Sequence, residues 1–329
     1  PEQLKYVDPW SAKRLLWNTS SWFYRSRNIE FDPTGMFFVE TGGYNPLLGG
    51  AYSEIAAKSR SAHKSQGFGA TPKLGESKEY FTTLAGTPPG DDLFSEIDTT
   101  WQRVAGASKV ADAIRQAIEV FDPARPEVSI PHLIEAHRVL SDLPEGFWRD
   151  KKLQDIETVV AGCLALDVES IAGARSTVPG SELDLEINAI QRSSLPVAIA
   201  VTTSESELAS ATATALPTNQ LISLKKRVSI ASDAEISQPY WLRSEPGAGR
   251  FVVDDLSLIG IPENQPALPV HVQLTVSDYA ISYQIATDFK FNDPVNGETK
   301  VPLSITPPLM VNLEENTHIF GRSAPREFD

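Results

Sequence analysis

Histidine, cysteine and carboxylate side chains do most metal-assisted and nucleophilic chemistry, and this chain has five histidines and one cysteine. The histidines are His63, His132, His137, His271 and His318, and none falls in His-Glu-x-x-His or His-x-x-His spacing. His132 and His137 are five apart, which on a helix rotates them about 140° from one another and away from a shared metal. Surface or capping roles are expected of both. His271 sits between Val270 and Val272, so it is expected to face outward while the valines face in. His318 falls in a polar tail, where a solvated side chain is expected. Cys163 lies inside the apolar run Thr158 to Leu166, which predicts a small buried hydrophobe rather than an activated thiolate. No Gly-x-Ser-x-Gly elbow occurs. Gly67, Gly69 and Gly75 follow a helical stretch instead of opening one, so they predict a helix C-cap and loop, not a phosphate cradle. The pairs Asp91-Asp92 and Asp254-Asp255 lack calcium-loop spacing, and adjacent carboxylates point apart, so solvated acidic turns are expected. No residue of this sequence is assigned as catalytic, cofactor-binding or metal-ligating on these grounds.

The elements that would position any site change in character along the chain. Arg14 to Asn18 is an apolar strand followed by the aromatic cluster Trp22, Phe23 and Tyr24. Ser53 opens a helix whose Ile55, Ala56, Ser59 and Ala62 share one face and which runs toward Gly67. Three amphipathic helices follow, on Val110/Ile114/Ala117/Phe121, Leu133/Ala136/Leu140 and Leu153/Ile156/Val160/Leu164. Beyond Pro179-Gly180 the period becomes 2, with Leu183, Leu185 and Ile187 and later Val270, Val272, Leu274 and Val276 on one face. Further strands are predicted at 196–202, 221–230, 250–253, 279–287 and 301–305, and a loop or edge at 202–218. This order predicts a mixed chain, α/β followed by all-β. Residues 1–105 read as an α/β layer, 106–175 as a helical connector and 176–329 as an immunoglobulin-like β-sandwich.

Composition narrows the function classes. The 329 residues carry a formal net charge of -14, which opposes a nonspecific hold on nucleic acid or an anionic membrane. No apolar run reaches the roughly 18 residues of a membrane span. The chain opens on Pro1-Glu2-Gln3-Leu4 without an initiator Met, and reads as a fragment or processed product.

Several longer strings go beyond generic patterning. Pro9-Trp10, Lys13-Arg14-Leu15-Leu16-Trp17-Asn18-Thr19-Ser20, Trp22-Phe23-Tyr24, Tyr44-Asn45-Pro46-Leu47-Leu48-Gly49, His63-Lys64-Ser65-Gln66-Gly67-Phe68-Gly69, Ile97-Asp98-Thr99-Thr100-Trp101, Pro239-Tyr240-Trp241-Leu242 and Asp293-Pro294-Val295 are among them. Together they resemble the long bacterial form of PIG-L/LmbE-type zinc-dependent de-N-acetylases, over nearly the whole chain. In that family a Rossmann-like domain holds zinc through a His-Pro-Asp-Asp motif and a later His-x-x-His. Neither motif occurs here, so no zinc ligand or general base carries over, and zinc is expected in the parent protein rather than in this chain.

The resemblance implies that residues 1–105 are the closing part of the Rossmann-like domain, with an N-terminal catalytic segment as the missing partner. It implies hydrolysis of an N-acetyl amide on an amino sugar or sugar conjugate, and a periplasmic or extracellular location. Asn18, Trp22 and Tyr24 then become candidates for lining the cleft beyond the strand end, with His63 and Gln66 facing the same crevice from the helix C-terminus. The alternative is a noncatalytic carbohydrate- or protein-binding module, for which residues 176–329 are the better suited.

Overall fold

A computed structural model describes residues 2–311 of the chain, so His318 lies outside the described residues. The chain is mixed α and β and divides into two compact units between Arg103 and Val104.

In the first unit β1 (Arg14–Thr19) leads into a short helix α1 (Ser21–Arg25), then β2 (Phe37–Glu40), the two-residue strands β3 (Tyr44–Asn45) and β4 (Gly50–Ala51), α2 (Tyr52–Ser61) and β5 (Lys78–Gly86). The nine-residue β5 is the central strand of a three-stranded antiparallel sheet in the order β1-β5-β2. Its register sets Trp17 opposite Thr82, Asn18 opposite Phe81 and Phe38 opposite Tyr80. Strand β1 is therefore paired antiparallel on one side, and its other edge has no strand partner among the described residues. Gly86 is required where β5 meets the chain entering β1: it has φ +81°, and a Cβ there would run into the Lys13 carbonyl. The Arg14 guanidinium then gathers the segment beyond β5, donating to the carbonyls of Thr87 (2.5 Å), Leu93 (2.5 Å) and Ser95 (3.0 Å).

This unit buries very little. Among its described apolar residues only Ala51 and Ala57 are buried. Helix α2 starts at Tyr52, earlier than the Ser53 signal, because the Glu54 carboxylate accepts from the Ala51 N–H at 2.8 Å. Its expected inner stripe of Ile55, Ala56, Ser59 and Ala62 is exposed.

The second unit begins with α3 (Ser108–Glu119), α4 (Ile130–Ser141) and α5 (Phe147–Cys163), which match the three periodic stretches. The strands are β6 (Asp167–Ala172), β7 (Ser176–Thr177), β8 (Glu182–Ile190), β9 (Val197–Thr202), β10 (Thr214–Ala215), β11 (Ile222–Ser229), β12 (Val270–Val276), β13 (Tyr279–Ile285), β14 (Thr287–Asp293), β15 (Gly297–Pro302) and β16 (Ser304–Ile305). They form a four-stranded sheet, β10-β9-β12-β13, and a five-stranded sheet, β11-β8-β6-β14-β15, with β16 and β7 paired apart. Leu185, Ile187, Ile199, Val272 and Leu274 are each at most 2% exposed and supply the apolar interior. Two points differ from the sequence reading. Residues 250–253 form no strand, only a single bridge from Gly247 to Arg250. Strand β6, inside the span read as a connector, is the middle strand of the five-stranded sheet and pairs parallel with β14. Its sequence Asp-Val-Glu-Ser-Ile-Ala carries little apolar alternation, so its place comes from its partners.

Candidate functional site

The five residues expected to line one crevice fall on three elements: Asn18 on β1, Trp22 and Tyr24 on α1, and His63 and Gln66 in the turn after α2. Successive residues of a strand point to opposite faces, so Asn18 lies across the sheet from Trp17. The Trp17 ring packs on Phe23 and Tyr24 of α1, with centroids at 5.8 and 6.1 Å. Asn18 instead donates from Nδ2 to Glu79 Oε2 at 3.1 Å and to the Tyr80 carbonyl at 3.3 Å. His63 and Gln66 are exposed in the turn after α2 and cap nothing with their side chains. The main chain closes that helix end: the Ala62 N–H reaches Lys58 and Ser59, and the His63 N–H reaches Arg60. Gly67 then takes the left-handed conformation, φ +67°, as the C-cap spacing predicts. Among the described residues no side-chain hydrogen bond or ring pair joins His63 or Gln66 to Asn18, Trp22 or Tyr24.

Aromatic rings do converge on the Trp17 face. Trp22 meets Phe23 at 5.0 Å, Tyr24 meets Phe31 at 5.2 Å, Phe31 meets Tyr80 at 5.3 Å, and Tyr80 meets Phe38 at 6.3 Å. Through the Trp17 contacts these rings form one continuous chain running from α1 across β1, β5 and β2. The Lys78 ammonium sits 4.8 Å over Phe38 at the far end, and Trp22 at the near end is 64% exposed. Beside it, the Glu40 carboxylate accepts from the N–H groups of Ser77 (2.8 Å) and Gly42 (2.7 Å). The Ser77 N–H first of all holds its carboxyl below the usual carboxylate range. A Cβ at position 42 would run into the Gly75 carbonyl, so this crossing also needs glycine. The surface offers stacking faces and an open strand edge.

In the second unit the structure corrects two histidines. His137, expected at the surface, is buried: Nδ1 lies 2.9 Å from the Tyr279 hydroxyl of β13 and Nε2 lies 3.3 Å from Glu157 of α5. The signal was present in the sequence, since His137 falls on the stripe of Leu133, Ala136 and Leu140. His271 is likewise buried, although it points away from the valine face as its alternation predicts. The turn Glu205–Ser210 contacts β9 and β12 and buries its Leu208, and Gln284 stands 3.4 Å from His271 Nδ1. Cys163 is buried at the end of α5, and burial pushes its thiol pKa up, which suits a packing role.

Three basic and acidic side chains meet at the surface of the five-stranded sheet. Glu169 receives Lys290 at 2.7 Å and Lys300 at 2.8 Å. Burial raises its carboxyl pKa, but the two ammonium groups and Asn188 outweigh that and bring it down to about 2. This is a cross-strand ion cluster between β6, β14 and β15. Among the described residues no three of His, Cys, Asp and Glu converge to hold a metal ion. No described helix is long and apolar enough to cross a membrane.

No family model matches the chain, and no curated protein does. Among solved structures it is similar to the Pseudomonas fluorescens alkylpurine DNA glycosylase AlkC bound to DNA, at 11% identity and TM-score 0.17, covering 49% of this chain and 47% of that one. The sporulation control protein Spo0M from Bacillus subtilis matches at 8% identity and TM-score 0.19, over 42% of this chain and 49% of that one. A β-glucosidase from Erythrobacter marinus, EmGH1, matches at 9% identity and TM-score 0.16, over 37% and 15%. The chain thus spans about half the length of the first two proteins or less. Overlaps this poor carry no information on fold or activity.

Proposed function

We propose that this chain is the closing portion of a larger zinc-dependent de-N-acetylase that hydrolyses N-acetyl amides of amino sugars or sugar conjugates. The single observation that carries the reading is the unfinished core of residues 2–103. A sheet with no strand beyond either edge, an uncovered α2 stripe and only Ala51 and Ala57 buried among the described apolar residues are what a layered domain missing a partner layer would leave. The strings around Arg14 to Tyr24 and His63 to Gly69, similar to the PIG-L/LmbE family, supply the chemistry of the other half. In this reading the ring chain from Trp22 to Phe38 is a wall against which a Rossmann-like segment packs, and zinc and general base come with that segment. In this reading the two larger sheets built from β6 to β15 are an appended immunoglobulin-like module, and the protein works outside the cytoplasm. Expression of the whole reading frame that encodes this chain tests the proposal. Stoichiometric zinc and chelator-sensitive release of acetate from N-acetylglucosamine conjugates are expected, and a product with neither overturns it.

A second reading, a noncatalytic binding module, is favoured for residues 176–329 by one observation. An open, hydroxyl-lined cleft runs along strand β11.

A further inference from the structure

The cleft beside β11 has an unusual residue at its centre. Ile222, Leu224, Lys226 and Val228 face inward on this strand, opposite Ala189, Ile187, Leu185 and Leu183 of β8, all of which are buried. Lys226 is therefore a cation at a core-facing position, set against a Leu185 that is 2% exposed. Its ammonium donates to the Val201 carbonyl of β9 at 2.6 Å, and it pairs with no carboxylate among the described residues. An ammonium carries three N–H donors, and partial burial without a counter-charge is costly. Glu207 borders the same cleft but takes the Thr202 hydroxyl at 3.2 Å instead of Lys226.

Both walls of the cleft are strand edges. β11 is the outer strand of the five-stranded sheet, with no strand on its far side among the described residues. Across from it, β10 pairs only with Ala198 and Ile199 of β9, so from Ala200 to Thr202 β9 has no strand partner on that side among the described residues. Two cavities follow one another along β11. One of about 680 Å³ is bordered by residues 223–226, and one of about 450 Å³ by residues 227–231. Together they follow the length of the strand, which suits an extended chain better than a compact ligand. Lys225-Lys226-Arg227 is also the longest basic run in a chain of net charge -14, and Arg227 is already paired with Asp184 at 2.7 Å.

We propose that this cleft binds an extended peptide segment by strand addition along β11, with an Asp or Glu of the incoming segment taking Lys226 as its counter-ion. Main-chain pairing to an open edge supplies general affinity and the side-chain pocket supplies selectivity. The Val201 carbonyl holds the ammonium in place until the carboxylate arrives. This inference does not depend on the deacetylase reading.

The test uses the full chain and a fluorescein-labelled ten-residue peptide of alternating valine and threonine with one central residue varied. Fluorescence anisotropy with central Glu, Gln and Lys is compared for the wild type and for Lys226→Met and Lys226→Arg. The Glu peptide is expected to bind at least tenfold more tightly than the Lys peptide. Lys226→Met should remove that preference and Lys226→Arg should keep it, while N-methylation of alternate peptide nitrogens should abolish binding. A folded Lys226→Met protein, confirmed by circular dichroism, that keeps the preference overturns the proposal. So does the absence of binding by any peptide, or tightening by free acetate or phosphate alone with no gain from the peptide backbone.

Discussion

Replacing Glu169 by glutamine removes the charge from the cluster on the five-stranded sheet and leaves its shape nearly intact. In the native protein Glu169 lies 2.7 Å from the Lys290 ammonium and 2.8 Å from that of Lys300, with its side chain 20% exposed. Its carboxyl sits at about 2 instead of the ordinary 4.5. A depression of that size corresponds to a ceiling of about 3 kcal/mol at neutral pH, at ~1.4 kcal/mol per unit. Lys300 is 43% exposed and solvent screens that arm, so a loss of about 1.5–2 kcal/mol is expected for Glu169→Gln at pH 7. The sign follows from the folded value lying below the unfolded one. The contribution is fully present above the unfolded pKa near 4.5 and fades as the pH falls from there toward 2. Urea unfolding at pH 7, 4.5, 3.5 and 2.5, followed by far-UV circular dichroism, measures the gap between wild type and variant. A gap that is full at pH 7 and closes across the acid range is expected. A gap of zero at pH 7, or one that stays constant down to pH 2.5, would refute the assignment of the stabilisation to this carboxylate.

Tyr279→Phe removes the hydroxyl that meets His137 Nδ1 at 2.9 Å and should destabilise the second unit by about 1 kcal/mol, because the buried ring nitrogen keeps only the long contact to the Ser141 hydroxyl at 3.5 Å. Thermal melts of the single and double variants with Glu157→Gln should show coupling, and full additivity would show that the three groups do not act together. Cys163 is buried with its thiol pushed up, so its reaction with a thiol reagent at pH 8 should be slow in the native protein and fast in urea; equal rates would count against its burial. The uncovered rings predict that Trp22→Ser with Phe23→Ser lowers binding of a hydrophobic dye to the full chain while moving the melting transition of the second unit by less than about 0.5 kcal/mol. An unchanged dye signal would place the exposed apolar surface elsewhere.

The sequence by itself carried the local periodicities. The stripes of α3, α4 and α5 and the alternation of β8 and β12 were readable because each element's buried face is written at 3.6- or 2-residue spacing in its own residues. Gly67 as a left-handed cap and Cys163 as a packed thiol were readable for the same local reason. Only the tertiary structure decided that β1 pairs antiparallel with a strand some sixty residues later, that β6 joins β14 in parallel, and that no strand forms at 250–253. It also decided that Asn18 turns to Glu79 and Tyr80, that the turn Glu205–Ser210 packs on β9 and β12, and that Lys226 stands opposite a buried leucine of β8. Pairing partners, sheet edges and the coverage of a face are properties of residues distant in the chain. A window of ten residues records which way a side chain points, but not what stands opposite it.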